Sequence, residues 1–214
     1  MNNFAPWPSC GLYVLTDGPR DDLLEVASQA LAGGARLLQY RDPTTDAARR
    51  RAEATALREL CHEYDVPLII DEDIALAKLV DADGVHLGNA EKDIGAARSE
   101  LGSHAIVGVA CRDSLQLAQV AARAGASYLS FGAFFPSPTK PLAPRASIDL
   151  LRQSAALGLP RVAIGGITPD NGAPLIEAGA DFLATVSALF GTSDVRTAAQ
   201  RFAGMFSSDR ESTR

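Results

Sequence analysis

The sequence predicts a single α/β domain, a (β/α)8 or TIM barrel, and three observations lead there. Short apolar runs alternate with longer amphipathic stretches from end to end, the pattern of parallel strands joined by helices. A small-residue joint recurs where helix passes into strand: Ala32-Gly33-Gly34-Ala35, Ala124-Gly125-Ala126 and Ala178-Gly179-Ala180, with Val80-Asp81-Ala82-Asp83-Gly84 a looser fourth copy. Glycine just past a helix takes the left-handed conformation, and small neighbours let the chain turn tightly into the next strand. No Asn-Gly or similar hairpin signal separates two strands. An open doubly wound sheet is the runner-up. Against it, Thr16-Asp17-Gly18-Pro19 after the first strand lacks the glycine-rich fingerprint of a dinucleotide fold.

Taken in order, residues 12–15 form the first strand, followed by a helix over 21–32. Residues 36–40 are the second strand, then a long helix over 45–64 that Thr44, Thr45 or Asp46 can cap. Residues 66–70 are an uninterrupted β-branched and leucine run, as in a strand buried on both faces. A short helix over 74–80, a strand over 84–87 and a helix over 92–101 follow. The fifth strand is 105–110, and Asp113-Ser114 caps a helix that runs to 124. The sixth strand, 127–131, enters a loop and then a helix over 147–156. The seventh strand is 162–164, with a helix over 170–178. The last strand is 182–186, and a closing helix covers about 198–205. The barrel occupies residues 1–206, and the polar tail 207–214 is expected to fray.

At 214 residues, 47% of them hydrophobic, the chain can bury one large core. Its formal net charge of −6 comes from 20 basic and 26 acidic residues that are scattered, which argues against nucleic acid as a partner. Cys10, Cys61 and Cys111 are too few for a disulfide framework and have no zinc-site spacing. The first eight residues lack a signal-peptide pattern and no apolar run spans a bilayer. The expectation is a soluble cytoplasmic protein with no membrane partner.

In such a barrel, chemistry sits where strands run into the following loops. The loop after the sixth strand, Phe131-Gly132-Ala133-Phe134-Phe135-Pro136-Ser137-Pro138-Thr139-Lys140, offers two hydroxyls and one ammonium on a path narrowed by two prolines and a glycine. Those groups suit a phosphate or diphosphate, although an ordinary polar loop fits the same residues. Gly165-Gly166 after the seventh strand and Val186-Ser187 after the eighth resemble a barrel phosphate site. Gly166 would let an anion approach the backbone closely. Glu72 and Glu91, on neighbouring loops, can hold a hard cation such as Mg2+, which takes one or two carboxylates and fills its shell with water and phosphate oxygens. Glu91 can equally cap the helix it opens. Arg41 and Lys140 would face the phosphate oxygens left over. His86 reads as a structural histidine and Cys111 as inert. Asp71, beside Glu72, completes the polar residues of that strand end.

These segments together resemble thiamine phosphate synthases, and the likeness runs along essentially the whole chain. It is carried by Leu12-Tyr13-Val14-Leu15-Thr16-Asp17, Gln39-Tyr40-Arg41-Asp42, Pro67-Leu68-Ile69-Ile70, Ala82 through Gly88, Val107-Gly108-Val109, Phe131 through Lys140, Ala163 through Ile167 and Val186-Ser187-Ala188. The resemblance implies a transferase that joins a hydroxymethylpyrimidine diphosphate to a thiazole phosphate. The diphosphate ionises first, with Mg2+, and the thiazole nitrogen captures the pyrimidine cation. By the same carry-over Gln39 and Arg41 hold the pyrimidine diphosphate, Asp71 reads the pyrimidine and Lys140 neutralises the leaving pyrophosphate. Ser137, Pro138, Thr139, Gly166, Val186 and Ser187 hold the thiazole phosphate, and Glu72 and Glu91 hold the metal. The chain departs from the family at Pro43 (lysine expected), Asp71 (asparagine), Glu72 and Glu91 (aspartates), Ala110 (serine) and Ser137 (threonine). The remaining alternatives are a thiazole tautomerase and a non-catalytic barrel that binds thiazole phosphate.

Overall fold

A computed structural model describes residues 7–88, 90–136 and 144–206. Among them eight parallel strands close into a barrel in chain order: β1 (Gly11–Leu15), β2 (Ala35–Tyr40), β3 (Leu68–Asp71), β4 (Gly84–Leu87), β5 (Ile106–Arg112), β6 (Tyr128–Phe131), β7 (Arg161–Ile164) and β8 (Phe182–Thr185). β1 pairs with both β2 and β8, which rules out the open sheet. Around them run α1 (Leu23–Ala32), α2 (Ala47–Glu63), α3 (Ile74–Leu79), α4 (Ala90–Leu101), α5 (Leu115–Ala124), α6 (Asp149–Gln153), α7 (Ala173–Glu177), α8 (Ser187–Phe190) and α9 (Val195–Gly204). No helix among the described residues is long and apolar enough to cross a membrane.

The side-chain period of two sorts each strand between two cores. Tyr13, Leu15, Leu37, Ile69, Ile106, Tyr128, Val162, Phe182 and Ala184 pack inside the barrel. Their neighbours Leu12, Val14, Leu38, Leu68, Ile70 and Val107 face the helices. The unbroken run of β3 follows directly, since Leu68, Ile69 and Ile70 are all fully buried, on alternate sides. Asp46 and Ser114 accept hydrogen bonds from the third residues of α2 and α5, as their positions lead one to expect. The repeated joint works as a left-handed turn at Gly34, Gly125 and Gly179 (φ +99°, +94° and +101°), and Asp81 adopts the same region at +53° in the looser copy.

The structure departs from expectation at several helices. The helix over 147–156 is a short α6 that tightens into a 3-10 turn, Ser154–Leu157, stopped by Gly158 at φ +68°. The helix over 170–178 begins only at Ala173, because Asn171 Oδ1 accepts from the Thr168 backbone and holds that stretch as a turn. α8, a single turn after β8, has no counterpart in the sequence reading. The tail 207–214 lies outside the described residues.

Candidate active site at the C-terminal mouth of the barrel

Because all eight strands run the same way, their C-terminal ends share one rim. On the β2 side, Gln39 points into the barrel and is buried, its Nε2 donating to the Tyr13 hydroxyl at 3.0 Å. Arg41 follows, and Thr16 grips its backbone twice. Arg41 N donates to Thr16 Oγ1 at 2.7 Å, and that hydroxyl donates to the Arg41 carbonyl at 2.9 Å. The Arg41 Nε then lies 3.6 Å from Asp71 Oδ2 at the end of β3.

The next residue is an anchor. Asp42 is buried and accepts from Thr44 N (2.9 Å), Thr44 Oγ1 (3.0 Å) and Arg49 Nη2 (2.5 Å). Burial alone would raise its pKa, but the Thr44 amide and the Arg49 guanidinium outweigh it and hold the carboxyl below its ordinary value. Arg49 also lies 3.4 Å from Glu53, which accepts from Tyr40 OH at 2.7 Å. The loop that displays Arg41 is thus tied to β1 and to α2.

Beyond Asp71, Glu72 takes a left-handed backbone (φ +62°), rare for a residue with a side chain and concentrated at functional positions. Its N–H donates to the His86 carbonyl at 2.8 Å, and its carboxylate lies over Gly88. A Cβ added at Gly88 would fall 2.6 Å from Glu72 Oε1. Glycine there leaves the carboxylate its room, on the loop that leads into the first turn of α4 and Glu91. The Glu91 side chain lies outside the described residues. A cleft of about 520 Å3 opens here, lined by Asp42, Pro43, Thr44, Arg50, Asp71, Glu72, Asp73 and Ile74.

The opposite side of the mouth is built from backbone. Gly165 and Gly166 both have positive φ (+104° and +64°). Phe134 N and Phe135 N donate to the carbonyls of Ile164 and Gly165 at 3.2 and 2.9 Å, zipping the loop after β6 onto the end of β7. A Cβ at Gly166 would sit 2.2 Å from the Pro136 carbonyl oxygen, so only glycine fits beneath that loop. Asn171 Nδ2 holds the Gly166 carbonyl at 3.0 Å. Val186 packs against the interior cluster just past β8, and Ser187 opens α8. Ser137, Pro138, Thr139 and Lys140 lie outside the described residues.

The profile of thiamine monophosphate synthase matches residues 12–189. The chain belongs to the thiamine monophosphate synthase family. A thiamine-phosphate synthase of Marinobacter nauticus is 51% identical over 201 residues, covering 92% of this chain and 90% of its own. One from Thiobacillus denitrificans is 50% identical over 204 residues, with 94% and 97% covered. Among solved structures, a thiamine phosphate pyrophosphorylase from Pyrococcus furiosus superposes with a TM-score of 0.83 at 33% identity, covering 93% of this chain and 96% of that one.

Several departures from the thiamine phosphate synthase pattern gain a local context. Ala110 pairs in register with Ser130 on β6, so a hydroxyl stands on the neighbouring strand. At Pro43, where lysine was expected, the cleft contains a different cation, Arg50, whose Nη2 lies 2.9 Å from Asp73. His86 lies within β4. Its ring stacks on Tyr128 with centroids 5.6 Å apart, and burial pushes its pKa down to about 4. The Cys111 thiol is buried in β5, and burial pushes its pKa up to about 12. Among the described residues no three His, Cys, Asp or Glu side chains gather as a ready metal site. Sequence reasoning placed Asp42 at a strand end but missed its anchoring by Arg49, and missed the grip of Thr16 on Arg41. Their one signal was their place beside residues already singled out.

Proposed function

We propose that this member of the family is a thiamine phosphate synthase, joining a hydroxymethylpyrimidine diphosphate to a thiazole phosphate with release of pyrophosphate. The observation that carries the reading is Arg41. Its backbone is gripped twice by Thr16, and its guanidinium is set beside Asp71 on the rim of a cleft that also contains Glu72. A tautomerase or a passive thiazole phosphate binder has no use for a cation on a held backbone and a carboxylate on a left-handed one at the β2–β3 side.

The reaction breaks the bond between the pyrimidine methylene carbon and a diphosphate oxygen, and the electron pair leaves with pyrophosphate. The thiazole nitrogen lone pair then closes on that carbon. Charge grows on the leaving group, so the catalytic task is to neutralise it in place. Arg41 does so from the β2 loop and Lys140 from the loop after β6, while Gln39 and Asp71 orient the pyrimidine. Gly166, Val186, Ser187, Ser137, Pro138 and Thr139 seat the thiazole phosphate. The donor set fits Mg2+: Glu72 is held in a fixed backbone conformation over the Gly88 gap, toward the loop that leads to Glu91, and two carboxylates leave most of an octahedron to water and phosphate. Bound there, Mg2+ would supply Lewis-acid neutralisation of the departing diphosphate.

Purified protein given both substrates and Mg2+ should release pyrophosphate, and EDTA should stop it until Mg2+ is restored in excess. If thiazole phosphate binds and no pyrophosphate ever forms, the synthase reading is lost. Movement of the thiazole double bonds by NMR would then identify a tautomerase. Lys140→Ala should lower turnover far more than thiazole phosphate affinity, and Ser187→Ala should do the reverse. Equal effects would reject that division of labour.

A further inference from the structure

Below the mouth, the barrel interior holds five polar side chains from four strands where apolar packing would suffice. Tyr13 comes from β1, Gln39 from β2, His86 from β4, and Tyr128 and Ser130 from β6. They form one line. Gln39 Nε2 lies 3.0 Å from Tyr13 OH, which lies 2.8 Å from Tyr128 OH, which lies 2.9 Å from His86 Nδ1. His86 Nε2 lies 3.4 Å from Ser130 Oγ, and that hydroxyl lies 3.4 Å from the Val109 carbonyl. The fold makes space for the line. A Cβ at Gly108 would fall 2.0 Å from the Tyr128 ring, and Trp7 stacks on the same tyrosine with centroids 5.3 Å apart.

The number of protons sets a direction. The Val109 carbonyl only accepts, so Ser130 spends its one proton there and can only accept from His86, which places a hydrogen on Nε2. At the other end Gln39 Nε2 donates to the Tyr13 oxygen. The Tyr13 proton is then free for Tyr128, and the Tyr128 proton for a bare lone pair on His86 Nδ1. Turning the Gln39 amide over reverses every step: its oxygen takes the Tyr13 proton, Tyr13 takes that of Tyr128, and Tyr128 needs a hydrogen on Nδ1. The histidine tautomer and the amide orientation are therefore one variable, read at two ends of a chain of hydrogen bonds.

We infer that Tyr13, Tyr128 and His86 are positioning residues that fix the Gln39 amide with its nitrogen toward the barrel interior and its oxygen toward the mouth. Gln39 then offers an acceptor, which selects a pyrimidine carrying an N–H donor as a substituent, since the ring nitrogens themselves only accept. The substrate half of this inference rests on the proposed function; the proton arrangement does not.

NMR of 15N-histidine-labelled protein tests the arrangement directly. His86 should be the neutral tautomer with hydrogen on Nε2 and none on Nδ1, and Ser130→Ala, which removes the selecting acceptor, should mix the tautomers. A hydrogen on Nδ1 in the wild type overturns the inference, whether or not the protein turns over substrate. In steady-state kinetics Tyr13→Phe and Tyr128→Phe should each raise KM for the pyrimidine diphosphate about tenfold, the worth of one mispaired buried group, while KM for thiazole phosphate and kcat hold. Tyr128→Phe and Tyr13→Phe should both leave the hydrogen on Nε2, since Ser130 still accepts it. Equal losses for both substrates, with melting temperature falling in parallel, would mean a merely structural role and would also overturn it.

Discussion

On the β2–β3 side the rim of the mouth presents charged side chains, and on the β7–β8 side the described residues present mainly backbone. Arg41, Asp71 and Glu72 hold their places because other groups fix the chain beneath them: Thr16 under Arg41, the Asp42–Arg49 knot under the loop, and the His86 carbonyl under Glu72. Gly165 and Gly166 rest mainly on backbone, their own conformation and the strand-like contact with residues 134–136, with Asn171 Nδ2 holding the Gly166 carbonyl. A side-chain site can be retuned by substitution while its anchors stay. A backbone site changes only where a Cβ appears. Of the positions where the resemblance leads one to expect another residue, Pro43, Asp71, Glu72 and Ala110 lie at strand ends lined by side chains, Glu91 and Ser137 lie outside the described side chains, and the glycine side keeps Gly165-Gly166-Ile167.

The contrast can be tested from its strongest consequence downward. Arg41→Ala should lower kcat/KM about a thousandfold, through loss of charge stabilisation on the departing diphosphate, and leave thiazole phosphate binding intact. Gly166→Val should act the other way round. The left-handed φ and the 2.2 Å approach to Pro136 O require the loop to move, and thiazole phosphate affinity should fall about a hundredfold by calorimetry. If either variant weakens both ligands alike, the two sides are not separable.

Thr16→Val keeps the volume of the side chain and removes both backbone contacts to Arg41. It should raise KM for the diphosphate substrate about tenfold, in line with hydrogen bonds worth about 1 kcal/mol each, with a smaller effect on melting temperature. Asp42→Asn tests the deeper anchor and should destabilise the fold by about 1–3 kcal/mol at neutral pH, measured by urea unfolding. The folded carboxyl titrates below its ordinary value, so its stabilisation is complete above the unfolded pKa and lost as pH falls through the folded one. The stability gap between wild type and variant should therefore close as acidification passes below the ordinary carboxylate range. A gap independent of pH would show that Asp42 contributes packing and not charge.

Much of this was legible in the primary structure. The alternation of strand and helix and the glycine joints are local signals, since a period of two, a period of 3.6 and a left-handed turn each span only a few residues. Gln39, Arg41, Asp71, Glu72 and Gly166 could be picked out because strand ends mark the rim of a barrel. The late start of α7 was hidden because Asn171 prefers its own turn, and α8 because one turn of helix has no period to detect. Residues 137–143 of the loop after β6, Ser137 and Lys140 among them, lie outside the described residues.

The order of residues alone determined which side chains point inward, which outward, and where each helix gives way to the next strand. Closure of the barrel decided which inward residues meet. Thr16 finds Arg41 across 25 positions and Tyr13 finds Tyr128 across 115. Such partners are selected by the stagger between strands, which belongs to the closed sheet as a whole and leaves no trace in any short stretch of chain.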